Sequence, residues 1–438
     1  MSKKEKHHEA IYDVKQLGVP KTLLLGLQHT FAMFGATVLV PILTGLSIST
    51  TLLMAGIGTL LFHFITKGKV PAFLGSSFAF LGGYAAVAPL KDGVADPTQL
   101  AYACGGVVIA GLVYIVVAAL IKFFGAKRIM RYFPPVVTGP IIIAIGLILA
   151  PTAINNCSSN WLLAIIAVVI VIACNIWGKG MIKIIPIMLG ILGSYAVALC
   201  MGQVDFSSVK EAAWIGLPIH TGSFAKFNIN AIITIVPIAL ATMMEHIGDI
   251  SAIGATTGKN YISDPGLHRT LLGDGIATSI SALFGGPANT TYGENTGVLA
   301  LSKVYDPLVM RIAACIAILL SFSPKFAAIV SSIPTAIIGG VSLILYGMIS
   351  AVGVRNVVEN KVDFTKSRNL IVAAVILVSA LGVEYQSFYN EAGQSVINSG
   401  INISVFGVSI SLSGIAIAAI AGILLNAVLP SKDYEFKE

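Results

Sequence analysis

The chain has 438 residues, of which 56% are hydrophobic and 11% charged, with a formal net charge of +7. An ordinary soluble domain is about 25% charged, and the mean hydropathy here is +0.89. These values exclude a soluble globular fold, a disordered chain and a disulfide scaffold, and unbroken apolar runs such as Trp161–Trp177 exclude the weak alternation of a transmembrane β-barrel.

Residues 1–20 are polar and read as a cytoplasmic tail. No short apolar core with a small-residue cleavage site follows the first basic residues, so no removable signal peptide is expected. A bilayer crossing takes about 20 apolar residues. On that measure fourteen hydrophobic segments follow: 21–44, 48–66, 71–88, 98–121, 132–153, 160–177, 181–201, 228–248, 270–285, 287–302, 307–324, 332–354, 369–386 and 402–429. The third and tenth are short and rich in Gly, Ser, Thr and Asn, so neither reads as a complete spanning helix. A second polar tail, 431–438, ends the chain.

The cysteines at 104, 157, 174, 200 and 315 show neither a CxxC pair nor metal-ligand spacing, and read as free thiols packed as small hydrophobes. The basic residues test the topology. With the N-terminus in the cytoplasm, 23 of the 27 Lys and Arg residues fall in inside segments. Only Lys91, Lys210, Lys226 and Lys325 fall outside. That bias follows the positive-inside rule and puts both termini in the cytoplasm. It also accounts for the basic pI without a nucleic-acid partner.

The two halves repeat weakly. Leu27-Gln28-His29 matches Met244-Glu245-His246 at an offset of 217, and Pro71-Ala72 matches Pro287-Ala288 at an offset of 216. Each Pro-Ala opens one of the interrupted segments. Seven spans per half would set the halves inverted in the membrane, and inverted repeats with paired broken segments mark secondary transporters with a site near the midplane.

Four acids are read at membrane depth: Glu245, Asp249, Asp274 and Glu294. An ionisable side chain there costs several kcal/mol and is a functional hypothesis by default. Glu245 and Asp249 are four residues apart and share a helix face. Two neighbouring acids raise each other's proton affinity, so this pair can hold and release a proton. Glu294 lies in GGPANTTYGENTGV (285–298), and its first-half counterpart is PAFLGSSFAFLGG (71–83). Irregular backbone at this depth is tolerated only where protein covers it or it lines a cavity. At offset 216, Phe78 aligns with Glu294 and Ser77 with Gly293. Carboxylates at 245 and 294 accept from ring N–H groups, backbone N–H groups near Phe78 and Gly293 donate to carbonyls, and Phe78 and Tyr292 offer ring faces. A planar ligand with N–H donors and carbonyl acceptors fits this set. An inorganic anion fits worse, because the two carboxylates repel it and no Lys or Arg lies at membrane depth. Walker, HExxH and TVGYG motifs are absent, and no catalytic constellation argues for an enzyme.

The strings LQHTFAMFGATVLVP (27–41), PAFLGSSFAF (71–80), DPGLHR (264–269), NTTYGENTGV (289–298), GGVSLILYG (339–347) and NKVDFTKSRNLI (360–371) closely resemble the nucleobase–ascorbate transporter (nucleobase:cation symporter) family. The resemblance spans roughly residues 20–430. It implies an all-α polytopic fold of fourteen segments in 7+7 inverted repeats, with short β-strands in the third and tenth. A core domain would comprise 21–131 and 227–331, and a gate domain 132–226 and 332–430. The resemblance further implies proton-coupled uptake of uracil through a bacterial-type cytoplasmic membrane, with the proton as coupling ion, no other cofactor, and a homodimer formed by the gate domains within the lipid.

Residue by residue, Glu245 and Glu294 match the family's substrate-binding glutamates. Phe78 and Gly293 match positions whose backbone meets the base, and Ala36, Tyr292 and Tyr346 match further pocket positions. Glu294-Asn295-x-Gly297 through Ser302-Lys303 resembles the family signature. Purine-selective relatives often carry Gln where Glu294 stands, which favours a pyrimidine. One relative has His where this chain has Asp249 and others have Asp, so Glu245 and Asp249 are the pair expected to handle the proton. A permease for xanthine or another base, and an anion exchanger or channel on the same fold, are the alternatives.

Overall fold

A computed structural model describes residues 10–90, 94–389, 395–397, 400–405 and 408–430. The helices begin and end where local chemistry dictates. Helix α1 (Val19–Thr44) carries Pro20 in its first turn, and Gly45, in the left-handed region at φ 81°, closes it by donating to Pro41 O. Helix α2 (Ile48–Ile65) starts on Ser47, whose side chain accepts from the Thr50 amide. Strand β1 (Leu74–Ser76) and the short helix α3 (Leu81–Val87) form the first interrupted segment. Helix α4 (Pro97–Phe124) is capped by Asp96. Helices α5 (Pro135–Ser158), α6 (Trp161–Trp177) and α7 (Pro186–Cys200) complete the first half.

The second half opens with α8 (Ile229–Ile235) and α9 (Ile238–Thr257), separated at Val236-Pro237. Proline removes a backbone donor and breaks the ladder there. Helix α10 (Leu267–Leu283), strand β2 (Asn289–Thr291) and helix α11 (Gly293–Ser302) follow. Helix α12 (Leu308–Ser321) meets α13 (Pro324–Ser331) at a 90° bend. Helices α14 (Thr335–Glu359), α15 (Ser367–Glu384) and α16 (Gly414–Val428) end the described chain. Among the described residues, seven helices are long and apolar enough to cross a membrane, or eight if the bent pair is one span. The molecule is a mostly helical, multi-pass membrane protein.

Two expected boundaries shift. The eighth segment extends to Thr257 as α8 plus α9, so Asp249 sits within helix. The fourteenth does not begin at 402: residues Ile401–Val405 and Val408–Leu412 pair as an antiparallel hairpin, and the helix starts at Gly414. The sequence Ile-Asn-Ile-Ser-Val alternates apolar and polar residues, the two-residue period of a strand. A second hairpin pairs Ser387–Tyr389 with Ser395–Ile397.

Close helix contacts recur in a paired pattern. On α4 and α10, a Cβ added at Gly111 would lie 2.6 Å from Gly275 O, and one at Gly275 would lie 2.7 Å from Gly111 O. Only glycine allows these backbones so near, the packing device of membrane helices. Helices α5 and α14 meet in the same way, with a Cβ on Gly353 falling 2.7 Å from Gly139 O.

The two interrupted segments meet at the centre. Strands β1 and β2 pair antiparallel, Leu74 with Thr291, Gly75 with Thr290 and Ser76 with Asn289. The ribbon is therefore centred on Gly75 and Thr290, which differ by 215 residues rather than the 216 of the Pro-Ala match. One residue fewer separates Pro287 from its strand than Pro71 from its own. Counted from the ribbon's central pair, Phe78 corresponds to Gly293 and Ser77 to Tyr292.

Neighbouring helices satisfy the exposed strand backbone. Thr59 of α2 accepts from the Leu74 amide at 2.9 Å, and Thr278 of α10 donates to Asn289 O at 2.8 Å. His63 Nε2 donates to Ala72 O at 2.8 Å, and Ser281 Oγ donates to Pro287 O at 2.6 Å. At membrane depth these bonds replace the water that would otherwise solvate non-helical backbone.

Candidate functional site

Glu245 and Asp249 occupy one face of α9, and both are half-buried. Gly293 and Glu294 are the first residues of α11, where the opening amides of a helix have no intrahelical acceptor. Gly293 is exposed and Glu294 half-buried. The two helices face each other here, because a Cβ built on Gly293 would sit 3.5 Å from Asp249 Oδ1. Carboxylates from two helices and a run of free N–H groups thus share one partly open space. Acceptors for N–H donors and donors for carbonyl oxygens stand side by side.

Strand β2 joins this space to the interior. Thr291 Oγ1 donates to Asp249 Oδ2 at 3.1 Å. The same oxygen lies 3.3 Å from His246 Nδ1, which is 3.2 Å from Asp274 Oδ2. His246 and Asp274 are fully buried. The helical period explains the split: positions 245 and 249 face the open space, whereas 246 turns into the protein against α10. Sequence reasoning placed Asp274 at depth; the structure places its carboxylate against His246, away from the opening.

The first-half side is more closed. Phe78 is buried, and its ring packs edge-to-face on Tyr346 of α14 with centroids 6.0 Å apart. That contact brings the first interrupted segment against α14. Ser77 is buried; its amide donates to Ala288 O at 2.9 Å, and its hydroxyl has no protein partner among the described residues. A buried hydroxyl left unpaired costs about 1–3 kcal/mol, which a ligand or water can offset. Ala36 is fully buried on α1.

Tyr292 serves the ribbon rather than presenting a free ring face. Its ring lies over Gly75, where an added Cβ would come within 2.4 Å of it. Its hydroxyl donates to Ser76 O at 3.1 Å and receives from Thr37 Oγ1 at 3.3 Å. Sequence reasoning missed Thr37, Ser76 and Thr291 in these roles. It also missed the bond from Asn295 Nδ2 to His29 Nδ1 at 3.1 Å. The match of residues 27–29 with 244–246 marks His29 as the counterpart of His246, and was the available signal. A fifth acid at depth went unread as well: Glu384, at the end of α15, is only 9% exposed.

Among the described residues no group of three or more His, Cys, Asp or Glu side chains could hold a metal ion. The site offers hydrogen bonds and proton exchange on carboxylates.

The permease family model Xan_ur_permease matches residues 20–387. A probable uracil permease of Haemophilus influenzae is 41% identical over 424 residues, covering 95% of this chain and 96% of the relative. The uracil permease of Bacillus caldolyticus is 42% identical over 427 residues, covering 94% and 93%. Among solved structures, the transmembrane domain of a cyanobacterial bicarbonate transporter, BicA, matches with a TM-score of 0.63 at 17% identity, covering 85% of this chain and 97% of that domain. At that identity the likeness concerns the fold alone.

Proposed function

The chain belongs to the Xan_ur_permease family, a transporter family and not a family of enzymes, and from that premise we propose that it imports uracil together with protons across a bacterial-type cytoplasmic membrane. The observation that carries this reading is the juxtaposition of α9 and the start of α11. There Glu245, Asp249 and Glu294 stand beside the exposed Gly293 backbone. Uracil presents two ring N–H groups and two carbonyl oxygens, the complement of carboxylate acceptors and free amides.

In the proposed cycle a proton enters on Glu245, shared with Asp249 through the face they have in common. Neutralising one acid removes the repulsion between carboxylates and leaves Glu294 to accept a ring N–H. Amides at Gly293 and near Phe78 donate to the carbonyls, Ser77 supplies a hydroxyl, and Ala36, Tyr292 and Tyr346 shape the surrounding wall. Fourteen segments in two inverted sevens, with both termini inside, form the frame of this reading. The ribbon of β1 and β2 and the paired glycine contacts are consistent with such a repeat. The core, 21–131 with 227–331, then moves against the gate, 132–226 with 332–430, and presents the site to the other side. Gate domains from two copies hold a homodimer within the lipid. The proton is the coupling ion, and no other cofactor is needed.

Uptake of labelled uracil by cells or proteoliposomes, with competing unlabelled bases, tests the substrate. Uptake of labelled xanthine but not of labelled uracil would move the assignment to a purine. An anion carrier, the other alternative on this fold, would give ligand-independent or bicarbonate-dependent currents instead. The carboxylates lining the site argue against it.

A further inference from the structure

Beside Phe78 lies a crevice between the first interrupted segment and helices α5, α15 and α16. Phe78, Ala79 and Gly82 form one wall, and Ile145, Leu149 and Glu384 face them. In the proposed topology α15 ends and α16 begins on the outer side, so this crevice lies between the outside and the site. All its walls are apolar or small except for one carboxylate.

Glu384 is 9% exposed, and its Oε2 accepts from the Gly414 amide at 3.2 Å at the start of α16. Capping does not explain an acid there. Ser413 already caps the same helix by accepting from the Ala416 amide, and a neutral oxygen would serve Gly414 equally well. A carboxylate at membrane depth is costly. Its second oxygen has no protein partner among the described residues, and the side chain lines the crevice. Tyr385, the next residue, donates its hydroxyl to Ile148 O and so fixes this end of α15 against α5. Across the gap, a Cβ on Gly82 would meet nothing within 4 Å. The wall opposite the acid is thus left open.

We propose that this crevice is an outer subsite of the transport path, in which Glu384 accepts a ring N–H of the arriving nucleobase before the base passes Phe78. The inference rests on the uracil-carrier reading above. When the core swings away from α5 on the outer side, Ile145 and Leu149 part from Phe78 and Ala79. The base then lies between apolar walls with its N–H edge toward Glu384. The subsite acts on capture from outside and not on affinity at the inner site.

The test is uracil uptake by intact cells that lack their own uracil carriers, so that only the outer face is presented. It is paired with equilibrium uracil binding by the purified protein. Glu384→Gln keeps the oxygen that accepts from Gly414 and removes the charge. It should raise the KM for uptake about tenfold, the worth of one hydrogen bond to a charged acceptor, and leave binding by the purified protein unchanged. Gly82→Val, which fills the crevice from the opposite wall, should raise the uptake KM in the same way. An uptake KM unchanged in both variants overturns the subsite while the carrier reading stands. A lower thermal midpoint with an unchanged KM reduces Glu384 to a helix cap and overturns it too. No uracil uptake by the unaltered protein overturns the carrier reading, and the subsite with it.

Discussion

Thr291 Oγ1 donates to Asp249 Oδ2 at 3.1 Å, so a strand residue from the second interrupted segment fixes an acid on α9. The bond couples the position of the ribbon to one of the carboxylates at the proposed site. Thr291→Val keeps the shape and removes the hydroxyl, leaving Asp249 without this donor. A lost hydrogen bond to a charged or buried partner costs about 1–3 kcal/mol. Uracil affinity of the purified protein should fall about tenfold, whereas Thr291→Ser should stay within about threefold of the original. Equal affinity in the Val variant would mean that Asp249 is held in place by other groups.

Gly293 separates folding from binding. A Cβ there meets Asp249 Oδ1 at 3.5 Å, an ordinary contact, so Gly293→Ala should fold with its thermal midpoint nearly unchanged. The methyl nevertheless enters the space through which the proposed ligand would approach the first amides of α11. Binding titrated at several uracil concentrations should show a loss of about tenfold or more, as expected when a hydrogen bond to the ligand is lengthened or lost. Full affinity would remove the Gly293 backbone from the site.

Tyr292 carries the opposite signature, because its ring and hydroxyl hold the ribbon. Tyr292→Phe removes the bonds to Ser76 O and Thr37 Oγ1 and should destabilise the protein by about 1–3 kcal/mol. Gly75→Ala should be worse, since its Cβ would fall 2.4 Å from the Tyr292 ring. Thermal unfolding in detergent reads both changes. A Phe variant as stable as the original would show that these hydroxyl bonds contribute nothing to the ribbon.

The ion pair between Lys69 and Asp264 spans 2.5 Å, yet its side chains are 43% and 66% exposed. Such pairs are worth about 0–1 kcal/mol and are screened by salt. Lys69→Ala should therefore leave both thermal midpoint and uracil uptake close to those of the original. A large loss of uptake would assign this loop contact a part in the conformational cycle.

The sequence made the helical, membrane-embedded class legible because apolar runs of spanning length are hard to mistake, and the Pro-Ala openings exposed the two interrupted segments. Local period misled where it changed within a single apolar run. Residues 401–412 alternate like a strand but were joined to the helix that follows. Strand β2 follows Pro287 one residue sooner than β1 follows Pro71, a difference that short matches cannot reveal. Glu245, Asp249 and Glu294 were readable as acids in apolar surroundings, and Gly293 as part of a Gly-rich interrupted run. Thr37, Ser76 and Thr291 were not, since a buried Thr or Ser in a membrane segment looks the same whether it satisfies its own helix or a distant strand. Glu384 was passed over because it sits at the end of an apolar run, where acids ordinarily reach water.

The most direct test of the central claim is uptake of labelled uracil into proteoliposomes, with and without an inward proton gradient. Proton-coupled carriage through Glu245 and Glu294 predicts that the gradient stimulates uptake by the unaltered protein. It also predicts that Glu294→Ala abolishes uptake and that Glu245→Gln abolishes the stimulation. Uptake indifferent to the gradient, or stimulated uptake surviving intact in both folded variants, would contradict it.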